Sequence, residues 1–279
     1  MVKALLLSIF FASFLNAQDL VIEKIRTLIN PKTFAKDRAY IDVIFSPRKD
    51  FYTKEGRVDA IKVIKTLKDN GILNLFFKKP RDIDISFKTK GEPLFFIKIM
   101  GDSLQNIGYY RYVTKESNFN GDEFVWKINL TSEYAADPII LAQELEKSNC
   151  EIVDVTRENE TDWTYVIDMK NAKLSVSELE GGVEFRLKRS LYAYWLDVSK
   201  VQTLKILSSA RNDWYPYIAF YDKTLKLLRV MKIDTKKSNI FLDMKEDTHY
   251  IKISDIYTLK NIKDDLVLKP TAKKKLSTP

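Results

Sequence analysis

Apolar and polar positions in residues 57–88 follow a helical period first and a strand period afterwards. The apolar positions of the first part lie on one face of a helix: Val58, Ile61, Ile64 and Leu67. Asn70-Gly71 predicts the end of that helix, because glycine adopts the left-handed cap conformation without strain. Residues 72–77 and 82–87 predict two strands, joined by a turn at Lys79-Pro80. The stretch is therefore predicted to be a helix–strand–strand unit.

The same order of elements is predicted twice more along the chain. The second unit begins with Pro93 at the first helical position, and the third begins at Asp137-Pro138. Their predicted strands cover residues 109–115 and 123–130, then 151–156 and 162–168. The three helix ends align, each with a leucine followed by a residue that tolerates a left-handed cap: Leu67 and Gly71, Leu104 and Gly108, Leu145 and Asn149.

Three such units predict an α+β repeat domain over residues 18–170. Each hairpin has one apolar face that a helix must cover. The expected architecture is therefore a mostly antiparallel sheet with helices on one face. This element order is similar to that of small α/β modules in periplasmic assembly proteins.

From Ala172 onward the pattern changes to short strands alone. Glu180-Gly181-Gly182 predicts a turn, and strand-like runs separated by turn residues follow it. These runs cover residues 183–188, 192–198, 203–207, 215–221, 225–233, 239–243 and 249–253. Such spacing is typical of an all-β sandwich, which we predict over residues 171–262.

Four segments of this region carry a recognisable pattern: Tyr194-Trp195-Leu196-Asp197-Val198, Thr203-Leu204-Lys205-Ile206, Pro216-Tyr217-Ile218-Ala219-Phe220-Tyr221-Asp222 and Tyr250-Ile251-Lys252-Ile253-Ser254. Over residues 183–262 they resemble the bacterial pre-peptidase C-terminal β-sandwich. The chain departs from that family before the last strand, where Thr248-His249 stands in place of the usual glycine. Domains of this family are non-catalytic accessory modules of secreted bacterial proteins, so the resemblance implies a binding or spacer role.

The first 17 residues, MVKALLLSIFFASFLNA, have the pattern of a secretory signal peptide. Lys3 supplies the positive start, residues 4–15 are apolar or small, and a cut after Ala17 fits the pattern. The alternative is an uncleaved membrane anchor, but the apolar run reaches about 18 Å as a helix, against about 30 Å of hydrocarbon. We therefore expect a protein exported to the bacterial periplasm, without a transmembrane span.

Composition adds little that is specific to one function. Cys150 is the one cysteine, so no internal disulfide is possible, and we expect it to be buried at a helix end rather than reactive. The net charge of +8 indicates either solvated lysines interleaved with acids, which we favour, or attraction to an anionic polymer or membrane. Residues 263–279, which include Lys273-Lys274-Lys275, are predicted to be a basic disordered tail.

The sequence lacks the residues that most catalytic and cofactor chemistry needs. His249 is the one histidine, which excludes histidine-rich zinc sites and makes it the one possible base of a serine triad. There is no Cys-x-x-Cys pair, phosphate-binding loop or dinucleotide fingerprint. Carboxylates remain as hydrolase candidates: Asp82, Asp84, Glu158, Glu160 and Asp162. The last three are also candidate Ca²⁺ ligands, although solvated turns and edges are the favoured interpretation.

Aromatic residues are dense in the β-rich region, which raises the question of sugar or peptide binding. The candidate ligand-binding residues are Trp214, Tyr215 and Tyr217. Trp214, in the turn at Arg211-Asn212-Asp213, is the better candidate for an exposed stacking residue. Core packing is the favoured role for these side chains.

These patterns together predict a non-enzymatic periplasmic protein that acts through its surfaces. Its expected partners are envelope proteins, which it would contact as an interaction or assembly (scaffold) factor. No cofactor, metal or nucleic acid is expected. The alternative is a protein that binds peptidoglycan or another glycan through the aromatic residues of the sandwich. A carboxylate hydrolase is the third possibility.

Overall fold

The computed structural model of the protein describes residues 19–273. The predicted signal peptide, residues 1–17, and the end of the predicted tail, residues 274–279, lie outside this range. The described chain is an α+β structure with three mostly antiparallel sheets. It divides into two compact units. The first comprises residues 19–91 and 96–172, and the second comprises residues 92–95 and 173–273.

Within residues 19–273 there are six α-helices. They are α1 (Leu20–Arg26), α2 (Pro31–Lys36), α3 (Arg38–Ile44), α4 (Ala60–Asp69), α5 (Pro93–Asn106) and α6 (Pro138–Glu146). Polar N-caps begin four of them, because a short side-chain oxygen accepts a hydrogen bond from a free backbone N–H of the first turn. The capping side chains are Asp19 for α1, Asn30 for α2, Asp59 for α4 and Asp137 for α6.

The predicted ends of the three longer helices are confirmed in their geometry. Gly71, Gly108 and Asn149 all have positive φ. In each case the next residue donates its backbone N–H to the carbonyl of the aligned, fully buried leucine, with N···O distances of 2.9, 2.8 and 3.1 Å for α4, α5 and α6. This is the left-handed helix cap that the sequence pattern indicates.

The first unit contains a five-stranded sheet. Its strands are β1 (Phe76–Thr89), β2 (Val113–Asn120), β3 (Glu123–Tyr134), β4 (Glu151–Asn159) and β5 (Asp162–Asp168). Their order is β2-β3-β1-β5-β4, in which β1 and β5 are parallel and all other neighbours are antiparallel.

The prediction of two strands and a turn in residues 72–87 is wrong. A single strand, β1, runs through Lys79-Pro80, so the first predicted unit has one strand where the other two have two. Pro80 is accommodated because the pairing of β1 with β3 is irregular between Phe76 and Arg81. A proline within a strand is tolerated where the ladder is interrupted, since its missing N–H then breaks no hydrogen bond.

One face of this sheet is apolar and the other is polar. Along β1, the fully buried Ile83, Ile85 and Phe87 alternate with polar residues such as Asp82 and Asp84. Aromatic rings fill the apolar side: Phe87 lies 5.8 Å from Trp126 and 5.5 Å from Tyr165, and Phe96 of α5 meets Phe124 edge-on at 6.1 Å. The alternation of β1 thus separates a helix-contacting core from a face of charged side chains.

The second unit consists of short strands. They are β6 (Ser177–Glu178), β7 (Phe185–Leu187), β8 (Tyr194–Asp197), β9 (Val201–Ser208), β10 (Pro216–Tyr221), β11 (Leu227–Lys232), β12 (Asn239–Asp243), β13 (Tyr250–Asp255) and β14 (Leu266–Ala272). One sheet has the order β11-β10-β13-β8-β6 and the other β12-β9-β14-β7. Buried residues of both sheets, such as Ile253 and Ile206, belong to one apolar cluster.

The predicted disordered tail begins too early. Residues 266–272 form β14, which pairs with β9 on one side and with β7 on the other. Leu266 and Leu268 are fully buried in the core of the second unit. Within the described range, no helix is long and apolar enough to cross a membrane.

Cys150 is buried, as the sequence analysis expects, and we predict that it is unreactive in the folded protein. Its thiol donates to the carbonyl of Ser148 at 3.6 Å. Burial, together with the charge of Asp168, raises the pKa of the thiol to about 12, so little reactive thiolate exists at neutral pH. An aromatic disulfide reagent should therefore label native protein slowly and urea-unfolded protein at once. Equal rates in the two states would contradict this burial.

Candidate functional site

The most exposed regular element of the first unit is the edge strand β2. All eight of its residues are exposed, including Val113 and Phe119, whose exposed fractions are 67% and 63%. β2 pairs with β3 on one side. Among the described residues, no backbone hydrogen bond is made to its other side. An open strand edge presents unpaired N–H and C=O groups that another strand can pair with.

The opposite edge of the same sheet, strand β4, is covered. The N–H of Arg157 donates to the carbonyl of Thr27 at 3.1 Å. Lys24 donates to the carbonyl of Val155 at 3.3 Å, and Arg57 donates to that of Val153 at 3.2 Å. The chain thus provides partners for the backbone groups of one edge and leaves the other edge open.

The turn between β2 and β3 determines which groups of β2 face outward. Gly121 has a φ of +65°, and the two-residue turn that it begins pairs Asn120 with Glu123. Residues that flank such a turn exchange hydrogen bonds, and hydrogen-bonded and non-hydrogen-bonded pairs alternate from there. The N–H and C=O groups of Ser117 and Phe119 therefore point away from β3.

The first half of β2 is less open than the second half. A bulge interrupts its pairing with β3 between Thr114 and Glu116. Lys115 lies at this bulge, and its ammonium nitrogen is 2.7 Å from a carboxylate oxygen of Asp84. Bulges and lysines are common protections of an edge against indiscriminate pairing. The unprotected part of the edge is therefore residues 116–120.

Charged side chains on the polar face form one network around Asp84. Its carboxylate accepts from Lys115 and Asn129, both at 2.7 Å, and Lys127 lies 3.5 Å from Asp84 and 3.7 Å from Asp162. Burial alone would raise the pKa of Asp84, but these hydrogen bonds and positive charges outweigh it and lower the pKa. Asp84 is therefore ionised and engaged at neutral pH.

The other carboxylates proposed as catalytic are also engaged or exposed. Asp82 accepts from Thr131 at 2.7 Å, and Glu160 accepts from Arg81 at 2.7 Å. Glu158 is exposed near the end of strand β4. A hydrolase of this type needs one carboxylic acid with a raised pKa beside an ionised one. Asp84, whose pKa is lowered, does not meet the first requirement.

A groove lies where α5 leads into β2, and the sequence analysis did not identify it. Its volume is ≈ 760 Å³. It is lined by Gly101, Gln105, Tyr109, Tyr110, Arg111, Tyr112, Val113, Asn129, Leu130 and Thr131. The sequence pattern predicts a strand over residues 109–115, whereas β2 begins at Val113. The signal that could have indicated the groove is the run Tyr109-Tyr110-Arg111-Tyr112, three tyrosines around one arginine.

The tyrosines of this run have different surroundings. Tyr112 packs edge-on against Trp126 at 5.6 Å. Tyr109 donates to the carbonyl of Tyr134 at 3.4 Å, and burial, with the charge of Asp137, raises its pKa to about 12. Tyr110 is 71% exposed. Tyr109 and Tyr112 thus form fixed walls, while Tyr110 is open to solvent.

The three aromatic residues proposed to bind a ligand are divided between core and surface. Trp214 is fully buried and donates from Nε1 to the carbonyl of Ser254 at 2.9 Å. It is therefore a core residue, as the favoured interpretation has it, and its candidacy as an exposed stacking residue is wrong. Tyr215 is half-buried against Tyr257, with ring centroids 5.1 Å apart. Tyr217 is half-buried on the face of β10 opposite to the buried Ile218.

Tyr217 lies near a second aromatic cluster on the sheet β11-β10-β13-β8-β6. Trp195 and Tyr221 have ring centroids 5.0 Å apart, and the ammonium of Lys252 lies 5.6 Å from the Trp195 ring centre. Tyr217 and Tyr221 alternate along β10 and share its outer face. His249 lies nearby, with Nε2 3.7 Å from Asp197.

No protein-family model matches the chain, and a search of curated proteins finds no significant match.

Proposed function

We propose that this protein is a non-enzymatic interaction or assembly factor of the bacterial cell envelope, exported to the periplasm. The observation that carries the proposal is the open edge of β2, in a sheet whose opposite edge, β4, is covered by the chain itself. In this proposal an extended segment of an envelope protein adds to the sheet beside residues 116–120. Main-chain hydrogen bonds would supply affinity, and exposed side chains such as Phe119 would supply selectivity.

The rest of the proposal concerns export and the second unit. Export rests on the signal-peptide pattern of residues 1–17. The second unit acts as a spacer or binding module of the pre-peptidase C-terminal type, supported by the segment pattern of residues 194–254. A non-enzymatic role is supported by the engagement of Asp84 with Lys115 and Asn129.

A second candidate function is binding of peptidoglycan or another glycan by the second unit. The observation that favours it is the cluster of Trp195, Tyr217 and Tyr221 on one outer sheet face. Aromatic rings beside a lysine offer stacking and hydrogen bonding to a sugar. Tyr215, although paired with Tyr257, lies just before β10 and would extend this surface.

In-cell photocrosslinking tests the proposal. A photoreactive residue at position 118 should capture one discrete envelope protein, whereas the same residue at Tyr192, which is also exposed, should not. Ser117→Pro should abolish the capture, because it removes an outward N–H of the edge. Ser117→Ala is the matched control, since it keeps that N–H.

Three outcomes would count against edge pairing. Equal capture from both positions would mean nonspecific proximity. Capture that survives Ser117→Pro would mean that the partner does not pair with the strand. Recovery of sacculus fragments alone would favour the glycan-binding candidate.

A further inference from the structure

The groove beside β2 contains one arginine without a partner among the described residues. Arg111 carries the one charge among the described residues that line it, and its guanidinium makes no hydrogen bond or ion pair with any described residue. Three of the other polar lining side chains are already hydrogen-bonded elsewhere: Asn129 to Asp84, Thr131 to Asp82 and Tyr109 to the carbonyl of Tyr134. An arginine without a partner, flanked by tyrosines, offers a fork of donors suited to a carboxylate.

The groove is placed in line with the open edge. Val113 belongs both to the groove lining and to the start of β2. The lining residues Leu130 and Thr131 belong to the part of β3 that continues past its pairing of Asn129 with Val113. From Ser117 to Arg111 is six residues, which is about 20 Å of extended chain. A segment paired with the outer edge of β2 can therefore continue into the groove.

We propose that the groove receives an acidic side chain, or a terminal carboxylate, of the strand that pairs with β2, and that Arg111 binds it. This inference rests on the proposed function and names the chemistry of its partner. The acid would lie about six residues from the position opposite Ser117. An exposed ion pair contributes little, but partner binding would cover this one within the groove. The charge would then select the register of the partner strand.

Selection of peptides from a displayed library of random nonapeptides, with the full chain as the target, tests both the pairing with β2 and the binding of an acid by Arg111. Wild-type protein should enrich peptides with alternating β-branched or aromatic residues and one Asp or Glu near an end. Arg111→Gln should still enrich peptides with alternating β-branched or aromatic residues but should no longer select an Asp or Glu. It should also bind the peptides that the wild-type protein selects at least about tenfold more weakly. Arg189→Gln, at an exposed arginine of the second unit, is the matched control and should change neither.

The outcomes separate this inference from the proposed function. Enrichment of strand-forming peptides without an acid would overturn the role of Arg111 and leave edge pairing intact. No enrichment, or enrichment that Ser117→Pro does not remove, would overturn both. If muropeptide fragments bind and lose affinity in Arg111→Gln while no peptide does, the groove is a glycan site and the inference is wrong.

Discussion

Replacing Trp214 by alanine is expected to lower the free energy of unfolding of the second unit by about 3–5 kcal/mol. The side chain is fully buried within the cluster shared by the two sheets, and truncation would leave a large cavity there. It would also leave the carbonyl of Ser254 without the Nε1 donor of Trp214. Both losses act in the same direction, so this should be among the most damaging single substitutions in the unit.

Urea unfolding followed by far-ultraviolet circular dichroism measures the effect. The two units need not unfold together, so the transition of the second unit should be followed separately, for example by hydrogen exchange of β10 and β13 amides. Tyr192→Ala is the control: Tyr192 is 71% exposed, and its loss should cost under about 0.5 kcal/mol. If Trp214→Ala kept wild-type stability but lost glycan binding, Trp214 would be a surface ligand residue after all.

The burial of Trp214 shows why the local sequence alone left both a core role and an exposed role open. Arg211-Asn212-Asp213 has the composition of an exposed turn, but Asn212 is buried. Its side-chain oxygen accepts from the backbone N–H groups of Lys263 and Asp264, both at 2.7 Å. These partners are about fifty residues away along the chain, so the sequence close to Asn212 does not include them. These hydrogen bonds hold the turn against the rest of the second unit, and the tryptophan that follows it lies in the core.

Strand β14 was missed for the same reason. Leu266-Val267-Leu268 is a short apolar run, but Lys269 and Pro270 make the segment resemble a basic tail. Pairing with β9 and β7, rather than local propensity, makes it a strand. Helix ends were predicted well by contrast, because the cap at Gly71 depends on residues within one turn of it.

The candidate site was predicted less well than the fold. A groove depends on which segments meet, and Tyr109 and Thr131 are brought together by the sheet. The openness of β2 is likewise a property of the strand order, because a sequence pattern does not tell an edge strand from a central one. The carboxylates Asp82 and Asp84 share one face of β1, as the alternation of a strand requires, but their partners on β3 were not predictable from the sequence.

Substituting alanine for Gly181 is expected to disrupt the second unit by a steric route. A Cβ at Gly181 would overlap the backbone N and Cα of Ala272, at the end of β14. Backbone atoms cannot move aside as a flexible side chain can, and the adjacent hydrogen bond from Gly182 to the carbonyl of Pro270, at 2.8 Å, holds the two segments together. Separating them should cost about 3 kcal/mol, the upper part of the range for overpacking.

Gly182→Ala provides the matched control, because alanine is disfavoured at Gly181 by a close contact and at Gly182 by the backbone conformation. Gly182 has open space around its Cα but a φ of +86°, so alanine there should cost about 1–2 kcal/mol of backbone strain without moving β14. Hydrogen exchange separates the two effects: Gly181→Ala should expose the amides of Leu266 and Leu268, whereas Gly182→Ala should leave them protected. Protection that survives in both variants would mean that β14 does not depend on this close approach and is held by its pairing with β9 and β7.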